Sequence, residues 1–419
     1  MTGRIGRNGT LALLTAIYLF NFMDRQIMAV LAEPIRLEFG LSDSQLGLLT
    51  GFMFALFYTT FGVPIAWLAD RTRRTWVIAA ACTAWSGFCA TCALATGFFS
   101  LAAARVGVAV GEAGGVAPSY SLIADLFPAQ TRARALALYS MGVPLGIGGG
   151  TALGGWIASA YGWRTAFVAV AAPGVLLAGL LLLLVREPRP VGAEIRPVPS
   201  FGQGLALFAG SPQLLMVSLS AALGAFTCYG LMAWVSTYLI RVLGMSLSEI
   251  GSWLSLTLAI GLGLGIWTSG WLSDRYGPQN RRMYALIPAG ALALGAPLLF
   301  AAVSVNDWHL ALPLLGAVLA LSIFYLAPSV AIVSELVPAD QRSTASALML
   351  LCLNLIGLGG GPYAIGLISQ WASADYGTQS LRIALQALVP MFLVAAGACL
   401  ASARLLQKGE AAGAATSAS

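Results

Sequence analysis

The chain is poor in charge. Only 9% of its 419 residues are Asp, Glu, Lys or Arg, against about 25% in an ordinary soluble domain. That scarcity excludes both a soluble globular enzyme and a disordered chain. Two chemically versatile residues are scarcer still: there is one histidine, His309, and one lysine, Lys408. Chemistry built on several histidines or on a buried lysine is excluded by count. The six cysteines (Cys82, Cys89, Cys92, Cys228, Cys352 and Cys399) all fall inside apolar runs. They read as small packing residues, not as a disulfide framework. Cys89 and Cys92 have CxxC spacing, but no second ligand pair accompanies them, so no metal or redox role follows. His309, in Asn306-Asp307-Trp308-His309, lacks further ligands too. No nucleotide-binding glycine loop, His-Glu metal pair or nucleophile–base pairing stands out. The chain reads as a non-enzyme with no cofactor.

What is present is apolar length. Hydrophobic residues make up 58% of the chain, and runs of about 20 residues, enough to cross a bilayer, recur throughout. Twelve spans are expected: 10–32, 44–68, 75–96, 100–124, 133–159, 164–185, 212–240, 248–272, 283–303, 309–334, 344–371 and 381–405. The 48 glycines suit closely packed membrane helices. Ser42-Asp43-Ser44 is a candidate N-cap for the second span, and Ser248-Glu249 for the eighth. Residues 186–211, rich in Pro, Gly and charge, read as a cytoplasmic linker, with a short interfacial helix over Phe201–Phe208. The expected layout is therefore a six-helix bundle over 1–185, the linker, a second bundle over 212–408, and a tail without structure over 409–419.

The net charge of +6 follows from orientation and does not imply nucleic acid. Of the 22 basic residues, sixteen fall on one side of the spans and four on the other: Arg36, Arg164, Arg241 and Arg382. Arg25 and Arg105 lie inside spans. By the positive-inside rule both termini are cytoplasmic. The basic start and first apolar run resemble a signal peptide. The run is too long and is interrupted by Asp24, so it reads as an uncleaved helix.

The halves repeat. Pro118-Ser119, Asp125-Leu126, Pro128-Ala129 and Arg132 recur at an offset of 210 as Pro328-Ser329, Glu335-Leu336, Pro338-Ala339 and Arg342. Trp67-Leu68-Ala69-Asp70-Arg71 recurs at an offset of 204 as Trp271-Leu272-Ser273-Asp274-Arg275. A parallel six-plus-six repeat, with a site between the halves near mid-membrane, is the architecture of secondary transporters.

These residues carry a resemblance. Asp70-Arg71-Thr72-Arg73-Arg74, and Gly270 to Gly277 around Asp274-Arg275, resemble the G-x-L-x-D-R-x-G-R-R signature of the major facilitator superfamily. The first copy has Ala66 and Arg73 at the glycine positions, and the second has Pro278 at the next basic position. Asn21-Phe22-Met23-Asp24-Arg25, together with Val108 to Glu112 and Ile123 to Phe127, resembles the Spinster branch. The resemblance implies an all-α membrane protein of twelve transmembrane helices in two pseudo-symmetric bundles. It also implies a transporter driven by a proton gradient; the near-total replacement of Lys by Arg points to a bacterial member, hence a bacterial inner membrane, and a monomer is expected. Animal members of the branch are proposed to move lysophospholipids and sphingosine-1-phosphate.

Charges inside spans point to chemistry, because each is costly there. Arg105 and Glu112 are seven residues apart, on one helix face and about 10 Å apart along the axis. Asp24 lies near mid-depth of the first span. Burial favours a neutral carboxyl and a nearby guanidinium favours the carboxylate. Two readings follow: Arg105 pairs alternately with Asp24 and Glu112, or the ion pair is fixed and only ties two helices together. Asp70, Arg71, Arg74 and Asp125, with Asp274, Arg275 and Glu335, read as a cytoplasmic gate or as a solvated, topology-setting loop. The second half has no charge deep within its spans. Asn21, Arg25, Tyr229, Trp234, Tyr325 and Asn354 are cavity candidates, and Ser322 with them, the alternative being simple packing. A cavity charged on one wall and apolar on the other suits an amphipathic lipid-like or organic anionic solute. A multidrug or metabolite exporter, a non-transporting receptor and a scramblase are the alternatives. The expected partners are that solute and membrane lipids.

Overall fold

The computed structural model describes residues 5–188, 201–338 and 341–417, and all regular structure among them is helical. The linker between 188 and 201, Ala339 of the repeat motif, and the basic residues Arg4, Arg189 and Arg196 lie outside the described residues. The helices in order are α1 (Gly6–Val30) and α2 (Ala32–Phe39), then α3 (Asp43–Arg71), α4 (Arg74–Cys92), α5 (Phe98–Leu126), α6 (Gln130–Tyr161) and α7 (Trp163–Leu184). After the linker come α8 (Phe201–Gly210), α9 (Pro212–Arg241), α10 (Leu247–Tyr276), α11 (Met283–Ser304) and α12 (Trp308–Leu336). Residues 342–376 form α13 and 380–417 form α14.

Ten stretches are long and apolar enough to cross a membrane, and the last of them, Thr344–Lys408, contains both α13 and α14. With α1, whose Asp24 and Arg25 interrupt its apolar run, that makes twelve. Helix α8 falls where a short helix was expected. The final helix continues to Ser417, so most of the tail expected to lack structure is helical.

The contacts divide the chain into two compact units. One gathers the described residues up to 188 with Leu239–Ala259; the other gathers those of 201–238 with those from Ile260 onward. In the first unit, glycines set the close approaches. A Cβ on Gly150 of α6 would lie 2.8 Å from the Met23 carbonyl oxygen of α1, and one on Gly111 of α5 would lie 2.6 Å from the Trp85 nitrogen of α4. Any side chain at either position would push the helices apart. In the second unit, Gly295 of α11 similarly admits the Phe392 ring of α14.

The repeat extends into backbone detail. Ser42 caps α3 in a capping box with Gln45, and Ser246 caps α10 in the same way with Glu249. The offset is again 204, and the second cap is Ser246, not the expected Ser248-Glu249. Each cap is followed by a π-helical turn, Leu48–Phe52 and Ile250–Leu254. Helix α5 is interrupted at 113–115 and α12 at Ile323–Tyr325, an offset of 210. Both breaks precede the Pro-Ser pair. Proline lacks the N–H and crowds the preceding turn, so it is accommodated where a new helical segment begins.

Candidate functional site

The site lies in the first unit, where α1, α3, α4 and α5 converge. Asn21, Asp24, Arg105 and Glu112 are each at most 2% exposed. The pairing differs from the expected one. Glu112 is held by Arg25: Nε and Nη2 both donate to Oε2, at 3.1 and 2.7 Å. Arg105, expected to pair with Glu112, makes no ion pair with it: side chains a full two turns apart on one helix do not meet. Glu112 reaches across to α1 instead. Arg25 is itself boxed by rings, its Cζ standing 4.9, 4.7 and 5.1 Å from the centroids of Phe22, Phe54 and Tyr58. Such contacts stabilise a desolvated guanidinium. Asp24 and Arg25, neighbours about 100° apart on the helix, thus face different partners.

Asp24 Oδ1 accepts a hydrogen bond from the Cys89 thiol at 3.3 Å. Cys89 was expected only to pack; the close approach of α4 to α1 turns it into a polar partner. The other polar atoms stay open. Glu112 Oε1, Asp24 Oδ2, Arg105 Nε and Nη1, and both amide atoms of Asn21 are buried without a hydrogen-bond partner. Leaving a buried polar group unpaired costs about 1–3 kcal/mol, more when it is charged. So many unpaired buried polar atoms in one place set this patch apart from an ordinary helix-packing contact.

A second charged cluster in this unit was not anticipated. Arg241 at the end of α9 donates to Glu33 Oε2 from Nε and Nη2 (3.1 and 2.7 Å), and to Asp43 Oδ2 and Oδ1 from Nη1 and Nη2 (2.7 and 2.9 Å). Arg36 donates twice to Glu33. Burial disfavours the Glu33 carboxylate, but hydrogen bonds from Arg36 and Arg241 outweigh it and hold Glu33 below the usual glutamate value. The available signal was charge balance: Arg36 and Arg241 are two of only four basic residues on their side, with acids at neighbouring helix ends.

The gate residues separate. Arg74 is buried and pairs with Asp125 at 2.8 Å and Glu187 at 2.7 Å, and donates to Ser121 Oγ at 2.8 Å. Glu187, just beyond α7, was missed. Asp70 is exposed, and Arg71 stacks on the Trp67 ring at 3.8 Å. In the second unit, Asp274 and Arg275 are exposed, while Glu335 meets Arg281 at 3.3 Å and Tyr284 Oη at 3.0 Å. Pro278 occupies the position equivalent to Arg74, and Arg281, one turn later, supplies the cation. Of the cavity candidates there, Trp234 is buried and donates to the Pro362 carbonyl at 2.8 Å. Tyr325 is buried over Gly224, and Ser322 Oγ donates within its own helix to Leu319. Tyr229 and Asn354 are half-buried.

The major facilitator superfamily model matches residues 14–362. The chain belongs to the major facilitator superfamily. It is 35% identical over 399 residues to an MFS-type efflux pump of Mycolicibacterium smegmatis, covering 94% of this chain and 92% of that one. It is 31% identical over 394 residues to human protein spinster homolog 1, covering 85% and 72%. Among solved structures it resembles a bacterial homologue of the human lysosomal transporter Spinster in an inward-facing, unoccupied conformation. That match has a TM-score of 0.85 at 31% identity and covers 96% and 98% of the two chains. This superfamily member is a multi-pass membrane transporter of the Spinster-like kind, not an enzyme.

Proposed function

We propose that this transporter is proton-coupled, with Asp24 and Glu112 as the proton-carrying groups, and that it moves an amphipathic lipid-like or organic anionic solute by alternating access. The observation that carries the reading is the half-satisfied charge patch. Two carboxylates and two guanidiniums are gathered in a buried place; Arg25 grips one oxygen of Glu112, while Glu112 Oε1, Asp24 Oδ2 and Arg105 Nε and Nη1 have no hydrogen-bond partner. Protonating Glu112 releases Arg25, and an anionic head group offers Arg25 and Arg105 a replacement partner. Proton and solute are thereby linked through the same guanidiniums. Phe22 and Tyr58, the partly exposed rings beside Arg25, give the solute's apolar part a surface to lie on. The inferred setting is a bacterial inner membrane with both termini cytoplasmic. Asp125, Glu187 and Glu335, with the motif residues near them, belong to the cytoplasmic gate.

The second reading is export of multiple drugs or metabolites, favoured by the similarity to the Mycolicibacterium efflux pump. Counterflow in proteoliposomes across a panel of lysolipids, organic anions and cationic dyes, with the pH gradient on and off, tests both. Solute-stimulated exchange that responds to the gradient supports the proposal. Exchange indifferent to pH in every arm, or uphill transport retained by Glu112→Gln, refutes it.

A further inference from the structure

A groove separate from the charged patch runs along the first turns of α1. Its floor is the face Arg7, Asn8, Leu11, Ala12, Thr15, Ala16 and Leu19, and its far wall is Thr131, Arg134, Leu138 and Met141 of α6 with Phe127 at the end of α5. The spacing of three and four residues on both helices puts each set on one face. The cavity volume is about 920 Å³. Twelve residues separate Arg7 from Leu19, so the groove is about 18 Å long.

The sequence explains why the groove opens at one end and closes at the other. From Gly142 onward α6 carries glycines at the positions that meet α1, and a Cβ on Gly142 would lie 3.1 Å from the Leu19 nitrogen. Before Gly142, α6 has no glycine back to Gln130, and Arg134, Leu138 and Met141 hold the two helices apart. The result is a wedge. Its closed end, Leu19 and Met141, is apolar. Its open end carries Arg7 and Arg134, both exposed. Arg7 Cζ sits 5.6 Å from the Phe127 ring centroid. Among the described residues neither arginine is paired with a carboxylate, and the lining contains none.

Two uncompensated guanidiniums at the end of a membrane span, above a largely apolar slot about 18 Å long, match the chemistry that holds anionic lipid head groups between transmembrane helices. We propose that this groove binds an anionic glycerophospholipid of the surrounding leaflet, its phosphate between Arg7 and Arg134 and an acyl chain along Leu11, Leu138 and Leu19. A free phosphate would leave the apolar length unused, and a neutral lipid would leave the arginines unused. The site lies short of Asp24, and the proposal stands whether or not transport is proton-coupled.

Native mass spectrometry of the full chain, released from micelles containing equal phosphatidylglycerol and phosphatidylcholine of matched chains, tests it. The intact protein is expected to retain phosphatidylglycerol about 10–30-fold over phosphatidylcholine. Arg7→Gln/Arg134→Gln should lose the preference, and Arg7→Lys/Arg134→Lys should keep part of it. Leu11→Trp, which fills the slot and leaves the arginines, should reduce phosphatidylglycerol retention without abolishing capture of inorganic phosphate. Equal retention of the two lipids, a preference that survives the double glutamine variant, or an arginine-dependent dimer in place of bound lipid would overturn the proposal. Thermal melting of each variant separates misfolding from loss of the site. Should the glutamine variant misfold, the Leu11→Trp arm decides alone.

Discussion

Two buried clusters in the first unit contain the same inventory: one aspartate, one glutamate and two arginines. In the cluster of Glu33, Asp43, Arg36 and Arg241, every nitrogen of the Arg241 guanidinium is engaged by a carboxylate oxygen. In that of Asp24, Glu112, Arg25 and Arg105, one ion pair forms and oxygens and nitrogens are left over. Composition is therefore a poor guide to role. A saturated network resists change, because breaking it strands charges of both signs. An unsaturated one keeps groups able to take a new partner, and the proposed proton coupling draws on that.

The largest expected effect tests the unsaturated cluster. Glu112→Gln should abolish uphill transport while leaving the fold intact; proton-driven accumulation in proteoliposomes, compared with melting of the same preparation, checks both halves of that statement. Next comes the saturated cluster. Arg241→Ala strands Glu33 and Asp43 and should destabilise the protein by about 3–5 kcal/mol, read as a lower unfolding midpoint in detergent.

Acid should mimic that loss. Glu33 is held below the usual glutamate value, so its contribution is full above that value and disappears as pH falls through the lowered one. As pH falls below about 4.3, the wild type should lose more thermal stability than Arg241→Ala; parallel losses would mean that Glu33 is not coupled to Arg241.

A smaller effect sharpens the comparison. Cys89→Ala removes the hydrogen bond to Asp24, worth about 0.5–1.5 kcal/mol. The pH profile of transport should move by about 0.4–1 unit, and Cys89→Ser should restore it. An unchanged profile would leave Cys89 a packing residue. Smallest of all, Asp70→Asn should change stability by less than about 0.5 kcal/mol, because Asp70 is exposed; a loss like that from Arg74→Ala would move Asp70 into the network.

Much of the fold was legible because its signals are local or periodic: apolar length marks spans, and a fixed offset marks the repeat. The identities of Asp24, Arg105 and Glu112 were legible for the same reason, since charge inside an apolar run is conspicuous. Their pairing was not. Which acid meets which guanidinium depends on how α1 and α5 are rotated against each other, and each is packed on a third helix through a glycine: Gly111 of α5 against α4, and Gly150 of α6 against α1. The Glu33–Arg241 cluster was invisible for a different reason. Its members are 208 residues apart and sit at span ends, where charge is ordinary. Pro278 raised a question that the structure answers, with Arg281 reaching Glu335 from a turn further on.

The interruption of α5 has a mechanical consequence. Glu112 is the last residue before the break at 113–115, and its carbonyl accepts the Gly115 N–H at 3.1 Å. From there the segment Val116–Leu126 runs as a stiff rod to Asp125, which Arg74 grips at 2.8 Å. The rod is about 18 Å long from pivot to tip, so a bend of about 10° displaces Asp125 by about 3 Å. That is the difference between an ion pair and none. If Glu112 takes up a proton as proposed, the break beside it offers a way for that event to reach the Asp125 contact with no relay of side chains in between.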